Sequence, residues 1–229
     1  MSVTEIDNAP MLGGSSYIVS SLEGVQQLPE NHRAVIGDTE LGALKNHRDF
    51  FSSLRQACEF APMSKWLDLI IESDGISLTA YLDGMGQKAA LVNTLGGCVR
   101  LQRFYVPETA PRQLRQIFAI IGSVHQYGFG HPGFFAIGES NPVEQFDDRM
   151  LNYKNCPPSG TQLTEFYTAD CGDRLLATDE SVYHYHIGGS LHRGDTLDNV
   201  LDSFFQQLCG QGSKFNPTVD YTLVSQIAT

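Results

Sequence analysis

Four consecutive residues, Tyr183-His184-Tyr185-His186, hold the densest chemistry in the chain. In an extended strand, residues two apart share a face. That spacing presents His184 and His186 as two imidazoles to one metal ion, with His192 or an acid as a third ligand. Such a centre would serve a metal-assisted hydrolase. The plainer alternative is a half-buried strand, with Tyr183 and Tyr185 toward the core and both histidines in solvent. From the residues alone, both readings stand.

Acidic residues make a second group. Glu139, Glu144, Asp147 and Asp148 fall close together in the chain. Paired carboxylates can do acid–base work or hold a hard cation, but these lack the spacing of a calcium-binding loop. A solvated acidic face that docks basic residues of a partner is the reading adopted. The glycine-dense run Gly128-Phe129-Gly130-His131-Pro132-Gly133 lacks the Lys-Ser/Thr of a phosphate loop and follows a predicted helix, so it reads as a tight helix-to-strand corner. There is no Gly-x-Ser-x-Gly elbow and no dinucleotide fingerprint. No catalytic residue and no cofactor is therefore assigned, and a non-enzymatic role is expected.

The composition fits that role. The chain has 229 residues, of which 41% are hydrophobic and 18% charged, a globular rather than a disordered balance. A chain of this length buries about 70% of its unfolded surface and needs no staples. Its net charge of −11 repels nucleic acid and anionic membranes and would attract a basic partner. Five widely spaced cysteines, Cys58, Cys98, Cys156, Cys171 and Cys209, contain no CxxC pair. Free thiols in a reducing compartment are the simplest reading. The first ten residues have no apolar signal-peptide core, and no apolar run is long enough to span a membrane, so a cytoplasmic location is expected.

The elements that must position these groups can be read from periodicity. Residues 1–15 read as a loose N-terminal arm, and 16–229 as a single domain. A helix is expected over about 40–60, with Asp38 or Thr39 as its cap and Pro62 as its stop; Leu41, Leu44, Phe51, Leu54 and Cys58 form its apolar face. A β-rich stretch follows, from the apolar run Trp66–Ile71 through strands at 76–82, 89–95 and 98–106, as an antiparallel meander. A second helix is expected over 111–127, then a strand at 134–137 and a loop over 139–162. Strands at 174–177 and 181–187 flank a turn at Thr178-Asp179-Glu180. The last helix, 196–209, is capped by Asp195 and closed by Gly210, and residues 221–227 read as an edge strand. Helices and strands are segregated, so the class is α+β: a mixed, largely antiparallel sheet packed against a few amphipathic helices.

One pattern goes beyond composition. The segment 129–138, ending Phe134-Phe135-Ala136-Ile137-Gly138, resembles the core strand of the SUKH superfamily. Asp179-Glu180-Ser181-Val182-Tyr183-His184-Tyr185 looks like that group's late strand, and the segment 196–205 is similar to its closing helix. Leu28-Pro29-Glu30-Asn31-His32-Arg33 resembles its early Leu-Pro segment. About a hundred residues separate the early and late matches. The family-like core would then be 128–229, with 16–127 an insertion or embellishment. The resemblance implies a protein-binding scaffold. Bacterial members are mostly immunity proteins that neutralise polymorphic toxins, often nucleases; fungal and herpesvirus relatives are regulatory or host-interaction proteins. The expected function is thus an immunity protein that occludes a basic toxin with its acidic surface. A viral or regulatory interaction protein and a hydrolase using His184 and His186 are the alternatives.

Overall fold

The computed structural model describes residues 3–7, 15–82, 88–94, 97–103, 105–126, 133–146, 156–169, 172–186 and 190–210. The first elements are two paired strands, β1 (Val3–Asp7) and β2 (Ser15–Val19). Helices α1 (Leu22–Gln27), α2 (Glu30–Arg33), α3 (Asp38–Lys45), α4 (His47–Ala57) and α5 (Ala61–Glu72) follow. Then come β3 (Ser77–Leu82), β4 (Lys88–Thr94) and β5 (Gly97–Arg100). Helix α6 (Arg112–Phe118) leads into β6 (Ser123–Gln126) and β7 (Gly133–Ala136). Short β8 (Ser140–Pro142) and α7 (Val143–Phe146) precede β9 (Gln162–Ala169), β10 (Arg174–Ala177), β11 (Val182–His186) and β12 (Ser190–Arg193). Helix α8 (Leu197–Gly210) is the last described element.

The described strands form one antiparallel sheet in the order β1-β2-β3-β4-β5-β6-β7-β9-β10-β11-β12, with β8 pairing β9 beside β7. The fold is α+β, as the segregation of periodicities implies. The sheet passes without a break from the N-terminal half into the C-terminal half through β5, β6 and β7. The main hydrophobic cluster does the same: Trp66, Leu78, Val99, Phe135, Leu175 and Phe205 all belong to it.

Helix α8 ties the helical layer to the sheet through aromatic contacts. Phe135 of β7 stacks on Phe204 at 4.2 Å between ring centroids, and Phe118 of α6 lies 5.0 Å from Phe135. Phe205, fully buried, meets Phe60, Trp66 and Phe135 at 5.9, 5.8 and 6.0 Å. A smaller cluster of Val143, Leu163, Leu176, Tyr183, Tyr185 and Leu191 packs elsewhere. Residues of β9, β10 and β11 feed both clusters, alternating along β10 and β11, so these strands are buried on both faces.

Several predicted boundaries move. The helix expected over 40–60 is two helices broken at Asn46, whose side chain caps α4 by accepting from the Asp49 N–H. Pro62 sits in the first turn of α5, where its missing N–H is harmless, and does not end a helix. The apolar run Trp66–Ile71 lies within that helix: Met63, Trp66, Leu67 and Ile70 are buried at helical spacing. The helix expected to reach 127 ends at Phe118, and Val124 and His125 belong to β6. Strand β5 stops at Arg100, short of the expected 106. Strands β9 and β12 have no counterpart in the sequence-based expectation. The residues read as a loose arm include β1, and the expected loop 139–162 includes β8 and α7. At α8, the Asn199 N–H bonds the Thr196 hydroxyl, making Thr196 the cap, while Asp195 accepts from Thr196 and Asn199. Residues 128–132 of the glycine-dense corner and the tail at 221–227 lie outside the described residues.

Two kinds of measurement test this packing, the first on glycine variants. Gly122 donates its N–H to the Arg100 carbonyl at 2.9 Å, and a Cβ there would lie 1.8 Å from the Gln102 oxygen. Gly122→Ala is expected to cost about 1–3 kcal/mol in urea unfolding, as overpacked sites do. Gly42, exposed in α3, has nothing within 4 Å of where an added methyl would sit; Gly42→Ala is expected to gain about 0.5–1 kcal/mol.

The second concerns His125, whose ring is pushed down to about 4 by burial, with Arg100 adding to the effect. The unfolded ring, near 6.5, binds its proton first. Stability from keeping His125 neutral is therefore complete above about pH 6.5 and is lost as pH falls toward 4. His125→Gln is expected to flatten the unfolding free energy across that window relative to the native chain.

Candidate functional site

The hairpin of β10 and β11 sets the geometry around the histidines. Arg174 pairs with Tyr185, Leu175 with His184 and Ala177 with Val182. One step beyond Arg174 and Tyr185, the same register sets Asp173 against His186. Asp173 closes the turn after β9: its carbonyl accepts from the Ala169 N–H at 2.8 Å, and the Gly172 N–H bonds the Ala169 carbonyl. Gly172 has a φ of 91°, a backbone conformation that glycine adopts without a side-chain clash.

Three side chains converge there. Asp173 Oδ1 lies 2.7 Å from His186 Nδ1, and Oδ2 lies 3.6 Å from His184 Nε2. The two rings are 5.2 Å apart. One donor atom from each of the three residues falls within 4.8 Å of the others. Asp173 and His184 are buried, while the His186 side chain is 49% exposed, so the cluster opens to solvent at His186. Tyr183 and Tyr185 sit in the smaller hydrophobic cluster, while His184 shares its face of the sheet with Leu175 and Val182 of the main one. His184 is 2% exposed, so only His186 of the pair reaches solvent. The backbone register places His192 of β12 opposite His184.

The sequence points to Asp173 only as an unspecified acid. Its position is nonetheless implicit in the turn at 178–180: folding the chain back about that turn brings 173 against 186.

Of the acidic group, Glu139 lies near the other face of β10, in a recess that Arg174 also lines. Strand β9 carries a bulge against β10, where Leu175 pairs with Tyr167 and Leu176 with Glu165, leaving Phe166 extra. Beside it, β7 and β8 flank an interruption at 137–139, held by Gly138 N–H to Glu165 O at 2.8 Å and Glu165 N–H to Glu139 O at 3.2 Å. An open recess of about 300 Å³ forms at this irregularity, lined by Gly138, Glu139, Asn141, Gln145, Glu165 and Arg174. Arg174 reaches Glu165 at 3.4 Å, and Thr168 also donates to Glu165. Glu139 is exposed and accepts from Asn141 at 3.0 Å.

Glu144 is anchored within the protein. Its carboxylate accepts from the Ser159 hydroxyl and from the Gly160 N–H at 2.6 Å. These bonds, Ser159 first, hold it below the usual carboxylate range. The structure thus brings Glu139 to the recess and gives Glu144 a loop to hold; Asp147 and Asp148 lie outside the described residues. Glu165 and Arg174 are not anticipated by the sequence, because a bulge leaves no mark in hydrophobic periodicity.

Thiol chemistry has little support. Burial pushes Cys98 up to about 12, and burial also raises Cys156 and Cys209. A thiol held in its neutral form is a poor nucleophile.

The role of Glu144 is directly measurable. Glu144→Ala is expected to speed hydrogen exchange at the Gly160 amide while the amides of β10 and β11 keep their protection; unchanged exchange at Gly160 would contradict the anchoring role. In comparisons with known protein families, curated proteins and solved structures, nothing matches the chain.

Proposed function

We propose that the chain is a cytoplasmic protein-binding inhibitor that receives a basic side chain of its partner in the recess beside Glu139. The observation that carries this reading is the charge balance of the recess. Glu139 and Glu165 face one cation, Arg174, which already lies against Glu165. A lysine or arginine entering the recess would meet Glu139 and neutralise the surplus. The net charge of −11 would steer such a partner toward the protein over longer distances.

The SUKH resemblance extends the proposal to an immunity protein that occludes a basic toxin. A reducing compartment suits the free thiols of Cys58, Cys98, Cys156 and Cys209. Among the described residues, no helix is long and apolar enough to cross a membrane. The viral or regulatory version of the same scaffold would use the same recess, and a neighbouring toxin gene or a viral genome separates the two.

The test is capture from the native source at low and high salt, followed by titration of the recovered partner against two variants. One basic partner, released as salt rises, is expected. Glu139→Lys is expected to weaken it by about tenfold or more, because it places like charges together. Glu144→Lys is expected to weaken it less, since that carboxylate already serves its own loop. A partner whose affinity ignores both salt and Glu139→Lys would remove the recess from the interface.

A further inference from the structure

We propose that Asp173, His184 and His186 form a binding site for a divalent transition-metal ion of the zinc class. The argument starts from the donors. Two imidazole nitrogens and one carboxylate make a borderline set, suited to zinc, cobalt or nickel and poorly suited to magnesium or calcium, which take oxygen donors. Their placement is fixed by the hairpin. His184 and His186 share a face of β11, and Asp173, just before β10, reaches both rings.

The spacing fits an ion. Tetrahedral zinc with bonds of about 2.1 Å holds its ligand atoms about 3.4 Å apart. The three donor atoms already lie within 4.8 Å of one another. Side-chain adjustments of about an ångström close the site, with no change in the strands. Burial adds a second argument. The Asp173 side chain is 9% exposed and turns its two oxygens toward the two rings. A buried carboxylate aimed at two imidazoles is held in place for an ion that enters between them. His186, half in solvent, marks the route of entry, and three protein ligands leave a fourth position open to water or to a ligand side chain. This site is separate from the acidic recess, whose lining contains none of its three residues. It therefore stands or falls apart from the partner-binding reading.

The experiment uses the full chain without a polyhistidine tag. It is stripped with chelator, returned to neutral buffer under reducing conditions and titrated with zinc by calorimetry. One equivalent bound with micromolar affinity or better is expected, with magnesium failing to compete. His186→Ala alters an exposed position and should leave the fold intact, which thermal unfolding checks; it is expected to weaken zinc by about 10–100-fold or more. Asp173→Asn should do the same. Cobalt provides a second readout. Its spectrum is expected to show nitrogen and oxygen ligation without a thiolate charge-transfer band, and to be lost in His186→Ala. Zinc that binds the native chain no better than His186→Ala would overturn the proposal, as would a thiolate band showing that cysteines hold the ion.

Discussion

The junction of Phe135, Phe204 and Phe205 is the contact on which the rest of this structure hangs. Phe135 lies on β7, in the middle of the strand order, and Phe204 stacks on it from α8. Phe205 meets Phe135 edge-on and also reaches Phe60 and Trp66, beside and within α5. Each aromatic pair adds about 0.5–1.5 kcal/mol beyond the area it buries. More important is what the pairs connect. Through Phe205, α5 packs onto α8, and through Phe204 and Phe205, α8 packs onto β7. An uncovered sheet face would expose a broad apolar surface, and α8 covers the part of it around Phe135.

With the sheet held there, local irregularity becomes usable. The extra Phe166 in β9 lets Phe166 and Tyr167 both enter the main cluster, while Glu165 pairs in register with Leu176. A regular strand would have put successive residues on opposite faces. The bulge therefore serves packing on one face and opens a polar recess on the other. Bulges recur beside functional sites for this reason: they re-aim a side chain without dissolving the strand.

What the sequence discloses follows the same physics. Strands β3, β4, β10 and β11 and helix α8 are legible, because their apolar patterns end at clear turns or caps. The pairing of His184 with His186 on one face requires only the two-residue period. Helix α5 is hidden because its apolar run 66–71 is short enough to suit a strand, and its first turn lies behind Pro62. Strand β9 is hidden because burial on both faces erases alternation: Leu163, Thr164, Phe166 and Tyr167 are all buried. The expected length of α6 fails because Ile121 and Val124 continue a helical stripe in the sequence while the chain has already turned at Gly122 into β6. There a backbone contact with the neighbouring segment of Arg100 and Gln102 outweighs local propensity.

The two candidate sites meet at a single peptide bond. Arg174 lines the recess on the face that carries Leu176 and Tyr185; Asp173 faces the opposite way, with Leu175 and His184. Neither can shift along the strand without moving the other. The β10–β11 ladder, the β9–β10 ladder and burial on both faces hold that strand in place. Groups carried on such a strand keep their spacing. Preorganisation of this kind lowers the ordering cost of binding, both for a cation entering between Asp173 and the histidines and for a basic side chain entering beside Glu139. It also makes the sites separable by substitution. Changing His186 at the exposed end of β11 leaves Arg174 and Glu165 where they are. Changing Glu139, across the interruption between β7 and β8, leaves the Asp173–His186 contact intact.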